Sequence, residues 1–487
     1  MRDMRVPAAG VAREAGLWQA RALGWSAPAW VAAIGGTGRW AAVLAALAVA
    51  ALPLWWHLRL VPAGREGIIA VFGEVGVYPA DLCLALLAGL ALGQPLGLAH
   101  VGRRLAARDD RAGQRPALGL DRAGRRLARG LAVLAAVVLS SALVAPRPAL
   151  AAGLAGHLAL LGLGWLAVRA SGISRTALVG GLVGSAGLQA GLAVAQFTLQ
   201  QPLVPAALHL PWLPVDVALG GTPVVLSASG DRLLRGFGTF PHPNVLGGYL
   251  ALALVSLPLL GRRWPRWEAA WWSLGVLLGL GLLACCSRAG WLAASLGLGV
   301  WWWSSARQGH ARWWPLLASA VALVALAGSP AGPTLGARVL PFGAAANPLE
   351  RGSIGNRLAL DRDALPLIGQ HLPFGTGGGN YGLLAVAEGY QEGWGEPAPN
   401  VLLLVAAELG LPGIAALALL VWGMLGTLRT DGRLDVAATA ACLALVCLAM
   451  LDHYLWTMPP GRVLAWLPLA LVAARPVAGQ PAAGATT

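Results

Sequence analysis

The sequence predicts an all-α, polytopic integral membrane protein of about 12 transmembrane helices with a large outer loop between helices 9 and 10. Three observations carry that reading. Of the 487 residues, 57% are hydrophobic and only 11% are charged, against about 25% charged in soluble proteins. The apolar stretches are continuous and rich in Leu, Ala, Val and Gly, not alternating, which favours helices over the strands of a barrel. Lastly, the chain holds twelve runs near the length of about 17 to 25 residues that a bilayer crossing needs.

Taken in order, the runs fall at 40–58, 77–99, 130–146, 149–168, 176–197, 243–261, 268–286, 289–306, 313–330, 398–424, 435–453 and 459–474. Residues 1–38 read as a cytoplasmic or interfacial lead-in, 39–475 as the transmembrane domain with its large extracytoplasmic loop at 331–397, and 476–487 as a disordered cytoplasmic tail. A net charge of +14 in a soluble chain would point to nucleic acid. Here all 35 basic residues are arginine, and roughly two thirds fall on one side of the run order, chiefly in short loops and in the basic stretch 102–129. The positive-inside bias therefore puts both termini in the cytoplasm, and nucleic acid drops out as a partner. Tryptophans such as Trp55, Trp56, Trp271, Trp272 and Trp301 mark span ends, as an interfacial belt does. The five cysteines lie in or beside apolar runs without disulfide or metal spacing, so no metal or other cofactor is expected.

Two outer loops are long, about 198–242 and 331–397, and long ordered loops on a tightly connected bundle are where function concentrates. Several arginines sit on this outer side against the bias: Arg232, Arg235, Arg288, Arg338, Arg351, Arg357 and Arg362. Any one of them reads most simply as a lipid-phosphate contact. As a set on three outer segments they read as a diphosphate site, because a guanidinium fork matches phosphate oxygens in pairs. Arg235 and Arg288 each precede a run that descends from the outer face, so side chain and helix dipole converge on one anion. His242 and Asn244 stand at the start of the same run as Arg235.

Residues 356–382 read as an amphipathic helix followed by a glycine-rich turn ending at Asn380. Arg357 and Asp361, four apart, also fit an ordinary helix-surface pair. The turn formally matches a dinucleotide fingerprint, but no strand precedes it and it lies outside, so that match is set aside; a turn that brings backbone amides near an anion or sugar stays open. Glu408 falls inside the tenth run with Gly410, Pro412 and Gly413 breaking the helix behind it; an intramembrane carboxylate is functional or paired with an arginine. His371 and His453, the latter beside Asp452, lie at the outer face.

Together the segments RGFGTFPHPNVLGGYL and SRAGW, the pattern from Arg357 to Asn380, and APNVLLLVAAELGLPG, in this order around a large outer loop, resemble the O-antigen ligase family of ligases and polysaccharide polymerases. The resemblance runs from about Tyr78 to Leu471. It implies a metal-independent glycosyltransferase of the bacterial inner membrane, active face outward. Such an enzyme moves a glycan from an undecaprenyl-diphosphate-linked donor to the hydroxyl of a glycan or lipid-linked acceptor. It implies that Arg235 and Arg288 hold the diphosphate; Arg357, His242, Asn244, Asn380, Asn400, Glu408 and His453 are read from their positions as lying around the substrates. The family signature is a histidine, a polar residue such as asparagine, nine residues and G-x-x-G. This chain has Asn400, Gly410 and Gly413, but Pro399 stands in the histidine's place. Proline accepts no proton, so His371, His453 or Glu408 takes over as base, or positioning alone suffices, or the protein is an inactive binding protein. His371 is the first expectation, as a loop residue. A lipid-linked glycan flippase or anion transporter is the alternative; it calls for charge at the bilayer midplane and paired broken helices. The oligomeric state is open.

Overall fold

The computed structural model describes residues 37–61, 74–92, 120–204, 223–226, 232–307, 348–391, 395–430 and 433–474. Within them the chain is an all-α membrane protein. Its helices are α1 (Thr37–Ala50), α2 (Pro79–Leu92), α3 (Arg122–Ser140), α4 (Pro148–Ser171), α5 (Arg175–Leu199), α6 (Pro243–Arg263), α7 (Glu268–Ala284), α8 (Arg288–Arg307), α9 (Pro348–His371), α10 (Tyr381–Ala387), α11 (Val401–Thr427), α12 (Val436–Leu451), α13 (Tyr454–Thr457) and α14 (Pro459–Ala473). Three short antiparallel ribbons join them: β1 (Leu58–Val61) with β2 (Val75–Val77), β3 (Val224–Leu226) with β4 (Arg232–Leu234), and β5 (Arg429–Thr430) with β6 (Arg433–Leu434).

Six of the described helices are long and apolar enough to cross a bilayer by length and composition: α3 with the 3-10 turn that extends it, α4, α5, α6, α7 with its 3-10 lead-in, and α11. Helices α1, α2, α12 and α14 are apolar but shorter. Each expected run except the ninth contains a helix; that run, 313–330, lies outside the described residues. So do 1–36, 331–347 and 475–487, on which the lead-in, the first part of the large loop and the tail were expected.

Boundaries moved for identifiable reasons. The first run was expected to reach 58, but α1 ends at Ala50, just ahead of Pro53, whose ring cannot continue a helix. The third was expected to start at 130 after a basic loop, but α3 starts at Arg122. There Asp121 caps it, its Oδ1 accepting the Gly124 N–H at 2.7 Å, so Arg122, Arg125, Arg126 and Arg129 ride on the helix.

Helix α6 is the axis of the bundle. Of its apolar window 94% is buried, which leaves it almost no face for lipid, and α5, α7, α8 and α12 pack around it. One apolar core surrounds α6 and extends to α1, α2 and α14; a second joins α3, α4, α9, α10 and α11. In the second, α3 and α11 touch backbone to backbone: a Cβ on Gly130 would lie 2.7 Å from the Cα of Leu420, and one on Gly423 2.6 Å from the N of Leu127. Small residues at such crossings replace the hydrophobic drive that lipid cannot supply.

Candidate functional site

Arg235 follows β4, and the ribbon aims it. Its backbone N–H donates to the Pro223 carbonyl at 3.0 Å and the next amide, of Gly236, donates to Ala284 at 2.9 Å, which docks this strand against the C-terminal end of α7. The side chain then meets the carbonyls that the end of α7 leaves open. Its Nε donates to Cys285 at 2.9 Å and its Nη2 to Cys286 at 3.3 Å, a cation on a helix C-terminus. Nη2 also donates to Asn244 Oδ1 at 2.8 Å. The guanidinium is buried, 6% exposed, so its first role is to fasten α7 to the start of α6.

Asn244 passes the contact on. Its Nδ2 donates to Asp452 Oδ2 at 2.9 Å, and the same oxygen accepts Arg357 Nη2 at 3.2 Å. Arg357 Nη1 also donates to the carbonyl of Leu451, the last residue of α12. Two arginines thus cap two helix C-termini, α7 and α12, and are tied together through Asn244 and the buried Asp452. Arg357 is the more open of the two, its side chain 34% exposed. Arg288 begins α8, two residues beyond Cys286. The face therefore gathers guanidinium groups beside the positive N-terminal ends of α6 and α8.

His242 is the N-cap of α6. Its Nδ1 accepts the Asn244 N–H at 3.1 Å, which leaves the proton of the neutral ring on Nε2. Burial first, and then the charge of Arg235, push the imidazole down to about 3. The residue is a neutral donor at physiological pH, not a base. His453 follows Asp452, whose Oδ1 accepts its backbone N–H at 3.0 Å. The Thr457 hydroxyl lies 2.9 Å from His453 Nδ1 and 3.2 Å from the His453 carbonyl. His371, by contrast, ends α9 and pairs with Glu388 at 2.7 Å. It lies fourteen residues beyond Arg357, about 21 Å along the helix, so the structure does not bring it to the arginines.

The glycine turn has a different use from the one its composition suggests. Its amides are engaged within the protein: Gly375 with His371 O (2.8 Å), Thr376 with Ala407 O (2.8 Å), Gly377 with Glu408 O (2.8 Å), Gly378 with Ser141 Oγ (2.9 Å) and Asn380 with Gly377 O (3.0 Å). The amides of Gly379 and Tyr381 meet the Glu408 carboxylate. The anion that these amides approach is thus the protein's own Glu408 carboxylate. Glycine is needed for shape: Gly377 has φ +90°, and a Cβ there would lie 2.4 Å from that of Ala145. Asn380 is equally committed, its Oδ1 accepting Arg147 N at 2.9 Å and its Nδ2 donating to Gly378 O at 2.9 Å.

Asn400 caps α11, its Oδ1 accepting the amides of Leu402 (2.9 Å) and Leu403 (3.4 Å). Gly410, at φ +61°, breaks the helix so that Leu411 donates to Pro373 O at 2.9 Å. The spacing of Asn400, Gly410 and Gly413 is therefore the spacing of a cap and a kink that seats the turn. Arg357 and Asp361 also fitted an ordinary surface pair by their spacing. Arg357 reaches across to Asp452 instead, and Asp361 accepts the backbone N–H of Asn400.

A second buried chain escaped sequence reasoning. His157 Nε2 meets Asp81 Oδ1 at 2.8 Å, Arg462 Nε donates to His157 Nδ1 at 2.7 Å, Arg462 Nη1 to Trp456 O at 2.6 Å, and Trp456 Nε1 to Glu408 Oε2 at 2.7 Å. It links α2, α4, α14, α13 and α11, and ends on Glu408, whose carboxylate holds the glycine turn. The available signal was an ionisable residue inside each of three apolar runs.

No curated protein matches the chain. Residues 273–418 match the family described as O-antigen ligase, a stretch that includes Arg288, Arg357, Asn380, Asn400 and Glu408. Lipid-linked glycans are what that family in general handles, and the apolar helices agree with a bacterial inner-membrane protein. The stretch thus similar to the O-antigen ligase family has the arginine face at its edge.

Proposed function

We propose that this protein is a metal-independent membrane glycosyltransferase. It transfers a glycan from an undecaprenyl-diphosphate-linked donor to an acceptor hydroxyl at the outer side of the cytoplasmic membrane, with both termini inside. The observation that carries this reading is the contact chain Arg235–Asn244–Asp452–Arg357, which unites three sequence-distant outer segments on one cationic face. As the bond to the anomeric carbon breaks, charge grows on the departing diphosphate. Preorganised cations aimed at such charge are commonly the largest catalytic contribution. Arg357 is the direct contact, because it is partly open; Arg288 assists from the start of α8. Arg235, Asn244 and Asp452 hold the face in shape, and His242 offers its Nε2–H to a phosphate oxygen. Of the two histidines expected to act as base, only His453 adjoins this face.

The test is to incubate protein in nanodiscs with undecaprenyl-diphosphate-linked glycan extracted from cells that make the protein, together with their surface-lipid acceptors, and to follow acceptor mass. Longer or glycosylated acceptor supports the reading. Transport of donor without covalent transfer would move the assignment to a flippase, a reading favoured by one observation, the intramembrane chain of Asp81, His157 and Arg462.

A further inference from the structure

Transfer of a glycan to a hydroxyl releases a proton, and most polar groups around the arginine face already have partners. Asn244 holds Arg235 and Asp452, His242 Nδ1 takes an amide, Asn400 caps α11, and Glu408 clasps the glycine turn. Asp361 differs. It stands one helical turn beyond Arg357 on α9, so the two side chains rise from the same face with Cβ atoms about 5–6 Å apart. Its carboxylate accepts the Asn400 N–H at the positive end of α11, while its Oδ1, shielded from solvent, meets no protein donor. A buried acceptor left without a donor is costly and calls for an explanation. A substrate hydroxyl is the donor this one lacks.

We propose that Asp361 accepts the proton of the acceptor hydroxyl. The inference rests on the glycosyltransferase reading above. In the step, the hydroxyl oxygen bonds to the anomeric carbon as the bond from that carbon to the diphosphate oxygen breaks. The diphosphate leaves with the electron pair as polyprenyl diphosphate, against Arg357, and the proton passes to Asp361 Oδ1. Atoms and charge balance without a further reactant. Burial raises the carboxyl of Asp361 above the ordinary range, which makes its anion a better base. Arg357, which opposes that rise, and Asp363 share its helix. Tyr381 on α10 feels the charges of Asp361, Asp363 and Glu408, and Asp452 and His453 face Arg357.

The test compares the parental protein with Asp361→Asn, Asp361→Glu and His453→Ala in nanodiscs, measuring transfer across pH and binding of undecaprenyl diphosphate. Asp361→Asn, close to isosteric, is expected to lower kcat about a hundredfold, to keep undecaprenyl diphosphate binding, and to erase the acid limb of the pH profile; Asp361→Glu retains more of the rate. Parental kcat and an intact acid limb in Asp361→Asn overturn the inference, as does loss of diphosphate binding, which marks a structural role. Loss confined to His453→Ala assigns the proton to that histidine and also overturns it. If the parental protein transfers no glycan at all, the glycosyltransferase reading fails and this inference with it.

Discussion

Asp452 accepts from Asn244 and Arg357 at once, so its loss leaves a buried amide and a partly buried guanidinium without their acceptor. Asp452→Ala is expected to cost about 1–3 kcal/mol of stability. It stays below the figure for fully buried ion pairs because the Arg357 side chain is 34% exposed. Thermal unfolding in detergent reads this, and transfer should fall with it. His242 supplies a second expectation at this scale. Its folded value is about 3 while that of the unfolded chain is near the ordinary one, about 6.5. The unfolded chain therefore binds the extra proton, and this residue's contribution is present above about 6.5 and lost as pH falls toward about 3. Asparagine keeps the cap but cannot titrate, so His242→Asn should flatten the fall of Tm on acidification relative to the parent. An unchanged slope would show that His242 does not titrate in that window. The residue scale is also where the sequence was least legible. Asp361 looked paired to Arg357 because the two are four apart, yet the tertiary fold draws them to different partners.

The start of α11 compresses three instructions into the eleven residues from Asn400 to Gly410: a cap at Asn400, a break at Gly410 and a close seat for the glycine turn. Gly410→Ala puts a Cβ 2.0 Å from the Pro373 carbonyl at a φ of +61°. It should therefore straighten the helix or unseat the turn, lowering Tm and abolishing transfer together. Asn400→Ala should cost about 1 kcal/mol, with Asn400→Ser largely neutral, since either serine or asparagine caps. If Asn400→Ser instead abolished transfer with Tm unchanged, the side chain would contact substrate, as sequence alone had suggested. The spacing was visible in the sequence, but its meaning was not, because a motif names residues and leaves their hydrogen-bond partners open. The same holds for the turn: its glycines announced unusual backbone, and only the structure showed Glu408 and Ser141 already holding its amides.

At the scale of the whole molecule, apolar length and composition carried far. They located α4, α5, α6 and α7 closely, because lipid and core both demand long apolar runs. They could not show that α6 is the axis, since a helix wrapped by protein and one facing lipid have the same composition. Nor could they pair Asp81 with His157 or His157 with Arg462, groups 76 and 305 residues apart. The resulting architecture gathers helix ends, arginines and the carboxylates of Asp361 and Asp452 at a single face. In the proposed function that face neutralises a diphosphate without a metal ion, so transfer is expected to survive EDTA; loss restored by magnesium would contradict this. The central claim is that Arg357 binds the diphosphate. It is tested most directly by the affinity of purified protein in nanodiscs for undecaprenyl diphosphate, comparing parent, Arg357→Lys and Arg357→Ala. The account predicts binding at least about tenfold weaker for Arg357→Ala, a loss of about 1.4 kcal/mol, with Arg357→Lys between the two. Equal affinity in all three proteins would contradict it.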